Sequence, residues 1–410
     1  MKRGTLLVTY GFLITVALTL ALQSFAMSQD AGVRPALVKF QVLYSFQGGA
    51  DGAGPVAALV ADGAGNLYGT AEYGGDGNGV VFKVDASGKE TVLYSFKGGT
   101  DGANPTGALA RDAAGNLYGT TLNGAGSGCG PLDGCGTVFK LDATGKETVL
   151  YRFTGGTNGT APFAGLIRDK DGNLYGTTTA GGGSGCGGSG CGTVFKVDAA
   201  GEETVLHRFA GGKDGSNPQA SVIRDAQGNL YGTTLQGGGS GCNDNAGCGT
   251  VYKLNTAGKE QVLHRFTGGD GGWPWSLTRD AGGNLYGTAS IGGRSGAGTV
   301  FKLSPTGKIT TLYSFTGRAD GASPTGGVIL DRAGNLYGTA DQGGNSCGNL
   351  SCGTVFRLDT TLKFSVLHRF IGGDGEFPIA GLVRDRAGNL YGTTIDGGSV
   401  NSGVVFKLTP

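Results

Sequence analysis

The chain has 410 residues, 86 of them glycine, and its 32 basic and 31 acidic side chains leave a net charge of +1. The charges are scattered with no basic face, which argues against a nucleic-acid partner. Glycine at this level would mean low-complexity disorder if it lacked a period, but here it recurs at fixed offsets among Val, Leu, Tyr and Phe, so an ordered repeat protein is expected.

The first element, residues 1–26, has a basic start, a mostly apolar run from Leu6 to Leu22 and the small residues Ser24 and Ala26. This pattern predicts an export signal cleaved after residue 26. The alternative is an uncleaved membrane anchor, because a run of roughly 17 positions approaches the lower limit for spanning. Residues 27–38 are assigned as a linker, and no membrane insertion is expected after cleavage.

From residue 39 to 410 the chain is built of repeats. The hexapeptide GNLYGT begins at Gly65, Gly115, Gly172, Gly228, Gly283, Gly334 and Gly388, at spacings of 50, 57, 56, 55, 51 and 54 residues. Each unit contains four short segments rich in Val, Leu, Tyr, Phe and Thr. In the second unit they are residues 106–111, 116–122, 137–141 and 148–153, all read as strands. Turns such as DAAGN and DATGK place Asp first and Gly where a left-handed backbone is needed, so consecutive strands should be antiparallel. In GNLYGT itself, Gly and Asn are expected to form the turn, Leu and Tyr to pack between blades, and the second Gly to permit close approach.

Seven such units predict an all-β fold, a seven-bladed β-propeller of four-stranded antiparallel blades. The chain's two ends support a ring over an open solenoid. QVLYSF at Gln41–Phe46 is a fourth strand without its first three, and GVVFKLTP at Gly403–Pro410 is a third strand without its fourth. The ring is therefore expected to close by pairing the N-terminal strand with the C-terminal blade.

The recurrent GNLYGTT, GTVFKL and VLYSF resemble the bacterial choice-of-anchor tandem-repeat proteins of the GloVer type, over about residues 39–410. The resemblance implies an exported repeat protein, usually tethered by one of several unrelated C-terminal anchors. Pro410 follows the seventh GVVFKL almost directly, which favours simple secretion over tethering. The resemblance carries no catalytic residues to this chain.

All eight cysteines lie between second and third strands, as Cys129 with Cys135, Cys186 with Cys191, Cys242 with Cys248, and Cys347 with Cys352. Two thiols per loop and no histidine do not make a zinc site, so local disulfides are expected in an exported chain. His207, His264 and His368 occupy the column that elsewhere holds the tyrosine of VLYSF, and are read as structural. Asp51, Asp101, Asp214, Asp270, Asp320 and Asp374 recur after the fourth strands and make an acidic ring conceivable, although Asp-Gly is also ordinary turn chemistry. Arg111, Arg168, Arg224, Arg279 and Arg384 are expected to pair with neighbouring carboxylates near the channel. No metal, cofactor or catalytic residue is assigned.

Loops after second and fourth strands share one face, and they carry the variation in length, the cysteines and the Asp-Gly pairs. Recognition is expected there. The fifth unit, GGDGGWPWSLTRD, holds both tryptophans, Trp273 and Trp275, around Pro274, and is one residue short both in its entering loop and from Pro274 to Asp280, so its first strand should enter the channel differently. Trp273 and Trp275, with Asp270 and Glu376 as acceptors and Phe163 and Phe377 as further aromatics, form the candidate ligand site; the alternative is that the tryptophans fill space between blades. The expected function is a non-catalytic binding or scaffold module for an extracellular polysaccharide or protein, acting as a monomer. The alternative is a carbohydrate-active enzyme, a glycoside hydrolase or lyase, with two carboxylates converging in the channel.

Overall fold

A computed structural model describes residues 38–410 except 126–128, 130–133, 240, 243–245 and 348–349. The expected export signal and residues 27–37 of the linker lie outside the described residues. Seven four-stranded antiparallel sheets follow one another in chain order, as anticipated. Blade 1 consists of Val60–Ala61, Leu67–Ala71, Val80–Val84 and Glu90–Ser95. Blade 7 consists of Val383–Arg384, Leu390–Thr394 and Val404–Thr409, and is completed by Lys39–Ser45 from the other end of the chain. The closing strand runs from Lys39 opposite Thr409 to Ser45 opposite Val404, with a register shift between Val42 and Tyr44. The fourth strand of blade 1 is offset at the matching place, opposite Val81 and Phe82, so the borrowed strand reproduces an ordinary blade.

Side chains from the third and fourth strands make the blade-to-blade core. Phe46 meets Phe82 edge-on with ring centroids 5.0 Å apart, and the same pairing recurs at every seam, through Phe96–Phe139 to Phe370–Phe406. Such pairs contribute about 0.5–1.5 kcal/mol beyond the area they bury. The aromatic ring of the third strand also explains the second glycine of GNLYGT. A Cβ on Gly69 would lie 2.6 Å from the Phe82 Cζ, so only glycine lets the ring lie flat on the second strand.

First strands are shorter than the sequence suggests. In blade 2 the regular strand is Ala110–Arg111 and not residues 106–111. Pro105 has no N–H to donate, and the residues after it bond across to the next blade: Thr106 Oγ1 donates to Phe163 O at 3.1 Å, and Leu166 N to Ala108 O at 3.4 Å. Blade 5 is the exception. Its first strand extends over eight residues, Gly272–Arg279, with a register shift between Pro274 and Leu277, in line with the different course expected from its missing residue.

Second-strand threonines tie neighbouring inner segments together. Thr120 Oγ1 donates to Ala164 O, Thr339 Oγ1 to Ala380 O, and Thr393 Oγ1 closes the ring on Ala57 O. In blade 4 the acceptor is Trp275 O at 2.9 Å, and in blade 5 the equivalent Thr288 hydroxyl is buried without a partner. The irregularity of the fifth unit thus disturbs both of its seams.

Candidate binding face and central channel

Inner segments from all seven blades surround a channel of about 250 Å³. The residue after each first-strand proline contributes one layer: Val56, Thr106, Phe163, Gln219, Trp275, Thr325 and Ile379. The next residue in each inner segment is small, among them Ala57, Ala164, Ala220, Ser276, Gly326 and Ala380. Among the described residues no charged side chain lines the channel. Of the candidate site residues, Trp275 and Phe163 therefore share this layer, and they are its two aromatics.

Trp273 and Phe377 belong to a second ring, formed by the residue before each proline: Gly54, Asn104, Ala161, Asn217, Trp273, Ser323 and Phe377. All seven have positive φ, between 51° and 63°. For the six that are not glycine this conformation is unfavourable, by about 1–3 kcal/mol each. It persists because the backbone is held from two sides. Each amide donates to a carbonyl at the end of the preceding blade's second-to-third-strand loop: Trp273 N to Cys248 O at 2.8 Å, Phe377 N to Cys352 O at 3.1 Å, Gly54 N to Ser402 O at 3.1 Å. Six of the carbonyls accept from the residue following their own blade's second strand, as Ser323 O does from Asp341 N at 3.2 Å; Trp273 O instead takes the Ser290 hydroxyl.

The four cysteine pairs are bonded as expected, Cys129–Cys135, Cys186–Cys191, Cys242–Cys248 and Cys347–Cys352. The second cysteine of each pair is the residue whose carbonyl receives the next blade's ring amide. Disulfides thus brace the supports of Ala161, Asn217, Trp273 and Phe377. The spacing of the cysteines revealed the bonds but not this connection.

Polar groups of the two rings are linked. Asn217 Oδ1 accepts from Gln219 Nε2 at 3.1 Å, and Asn104 Oδ1 from Asn123 Nδ2 at 3.0 Å. Near these rings three buried atoms lack a partner: Trp273 Nε1, Trp275 Nε1 and Asp341 Oδ1. Burial pushes the Asp341 carboxyl up to about 7 against the opposing pull of Ser323. The sequence reading passed over Asn104, Asn217, Gln219, Ser323 and Asp341; their one signal was position beside the repeated proline or just after GNLYGT.

Asp270 and Glu376 sit elsewhere. Asp270 accepts from His264 Nε2 at 2.7 Å and from the Thr267 amide and hydroxyl, which commits its carboxylate to the turn after the fourth strand. The other residues of the conceivable acidic ring are used in the same way: Asp51 bonds Tyr44, Asp101 Tyr94, Asp320 Tyr313, Asp214 His207 and Asp374 His368. They do not converge on the channel, and Tyr or His in that column is explained by its carboxylate partner. Glu376 lies beside Asp396 in a short bridge, its carboxyl raised by burial and then by that neighbour. The arginines do not pair with carboxylates as expected. Arg111, Arg168, Arg224 and Arg279 lie over the GNLYGT tyrosine of the preceding blade, at 5.5–5.8 Å from the ring centroid, because that Tyr is the surface the preceding blade presents to them.

These features define a closed seven-bladed propeller that presents a variable-loop face around a narrow channel. The model of the Gloeobacter/Verrucomicrobia repeat matches residues 32–189 and 185–406, and the chain belongs to that family. No curated protein matches the sequence. Among solved structures the chain is similar to the extracellular domain of BT3049 from B. thetaiotaomicron, described as a hybrid two-component system (14% identity, TM-score 0.55), covering 90% of this chain and 41% of that one. It is likewise similar to the extracellular domain of BT4673 from the same organism (12% identity, TM-score 0.57; 90% and 39%). The chain thus spans about two-fifths of the length of these relatives, and the likeness is one of fold. Among the described residues no helix is long and apolar enough to cross a membrane.

Proposed function

We propose that this chain is an exported, non-catalytic module that binds an extracellular polysaccharide or protein through the face formed by the loops after second and fourth strands. The observation that carries this reading is the channel layer itself, one side chain per blade on a rigid frame, with Trp275 and Phe163 as its aromatics. The absence of carboxylates from the channel lining favours binding over glycoside hydrolysis, which needs two of them flanking the scissile bond. Four disulfides suit an oxidising compartment, and the basic-then-apolar start of the sequence suits export.

The test is a screen of the mature protein on a glycan array and against extracellular proteins, repeated with Trp275→Ala. Loss of the captured ligand at nearly unchanged melting temperature is expected. Unaltered binding with a melting temperature lowered by several degrees would assign Trp275 to packing, and release of shortened sugars from a bound glycan would replace the binding module with an enzyme.

A further inference from the structure

The ring of residues before the prolines poses a physical question. At blade 1 the position is filled by Gly54, the residue that adopts positive φ without strain. Glycine would serve the same backbone at the other six blades, with the amide bonded to the preceding blade in all of them and the carbonyl bonded to the blade's own second-strand end in five. Yet those blades carry Asn, Ala, Asn, Trp, Ser and Phe, and the bulkiest, Trp273 and Phe377, both stand on supports braced by disulfides. Side chains kept at a strained position that glycine could fill are kept for what they touch.

The chemistry of the surrounding groups narrows what that is. Trp273 Nε1 and Trp275 Nε1 are donors in need of an acceptor, and Asp341 Oδ1 is an acceptor in need of a donor. The ring, the channel layer and the two residues after each second strand contain no Lys or Arg, while Glu72, Asp341 and Asp396 lie among them. Their local field opposes uronates, sulfated sugars and phosphates. Flat aromatic faces beside amides and hydroxyls complete the set that recognises a sugar ring, the C–H face by stacking and the rim by hydrogen bonds.

We propose that the residues before the prolines are the specificity-determining layer of this face, and that its ligand is a neutral, hydroxyl-rich glycan. Trp273 and Phe377 stack on sugar faces, and the partly exposed polar groups of the ring bond its hydroxyls. This rests on the binding function proposed above and commits it to one ligand class.

The experiment compares immobilised neutral glucan and mannan oligosaccharides with uronate-containing and sulfated ones, for the parent protein and for Trp273→Gly and Phe377→Gly. Glycine is chosen because Gly54 shows that the ring tolerates it and because the relief of backbone strain offsets part of the packing lost with the side chain; the melting temperature of each variant is recorded so that weakened binding is read only from folded protein. The expected result is binding of neutral oligosaccharides alone, weakened about tenfold or more in each variant. Preferential binding of charged sugars would overturn the inference while upholding a glycan-binding function. Neutral binding unchanged in both glycine variants would remove the ring from recognition. Capture of proteins and no sugar of either class would overturn the inference and leave the protein arm of the broader reading.

Discussion

Asp169 accepts from the Asn173 amide and side chain and from Tyr175 Oη, all within 3.0 Å, and the same arrangement recurs in every blade from Asp62 to Asp385. Two letters of GNLYGT, Asn and Tyr, are therefore spent on the aspartate that precedes them, which answers why the hexapeptide repeats unchanged. Asp169→Ala would strand the half-buried donors of both and should destabilise by about 1–3 kcal/mol, read from chemical denaturation. At Asp62, burial disfavours ionisation, but the hydrogen bonds from Asn66, Tyr68 and Ala64 outweigh it and hold the carboxyl down to about 2. A carboxyl held below its unfolded value contributes stability above the ordinary aspartate range and loses it as pH falls toward 2. Scanning from pH 5 to pH 2 should show a steep loss of melting temperature, and Asp62→Asn should flatten part of it.

Fourth strands show a second titrating element with the opposite sign. Those of blades 1 to 4 begin with Glu90, Glu147, Glu203 and Glu260, each with a buried, unpartnered Oε1. In the remaining positions Ile309, Phe364 and Phe40 take the place, and Phe364 stacks on Tyr313 at 3.9 Å, as Phe40 does on His368 at 3.6 Å. Burial, then the charge of Asp51, pushes Glu90 up to about 7; for Glu147, burial and then Asp101 do the same against Arg152. A carboxyl raised in the folded state stabilises the fold at low pH relative to high, and that advantage is lost as pH climbs from about 4.5 to about 7. The double variant Glu90→Gln, Glu147→Gln should melt higher than the parent at pH 8 and alike at pH 4; a parent that is the more stable at pH 8 would refute the assignment. The strands, their order and the cysteine pairs were readable because short apolar segments and turn residues are local signals. The short first strands were not, since their hydrogen bonds go to another blade, and neither was the ring of Trp273 and Phe377, whose positive φ arises from contacts with Cys248 and Cys352.

At the scale of the whole molecule, blade 7 is complete only with Lys39–Ser45 in place. Deleting Lys39–Phe46 would leave the edge of Val404–Thr409 unpaired and remove Phe46 from its pairing with Phe82, so thermal unfolding should fall sharply and light scattering should report association. Exchanging Cys242 and Cys248 for serine should lower stability by about 2 kcal/mol in the same measurement, the chain-entropy contribution of so short a loop. Ring closure also imposes an order in time. Blades 1 to 6 are each made of contiguous chain and can form as they emerge, whereas Lys39–Ser45 must wait for the last strand to be synthesised and delivered. Until then both open edges are templates for a neighbouring chain, so the slowest and most concentration-sensitive step of refolding should be the final docking of these two strands. Moving the break in the chain to a turn between two strands of blade 3, by circular permutation, would transfer that waiting period to blade 3 and leave the finished ring unchanged.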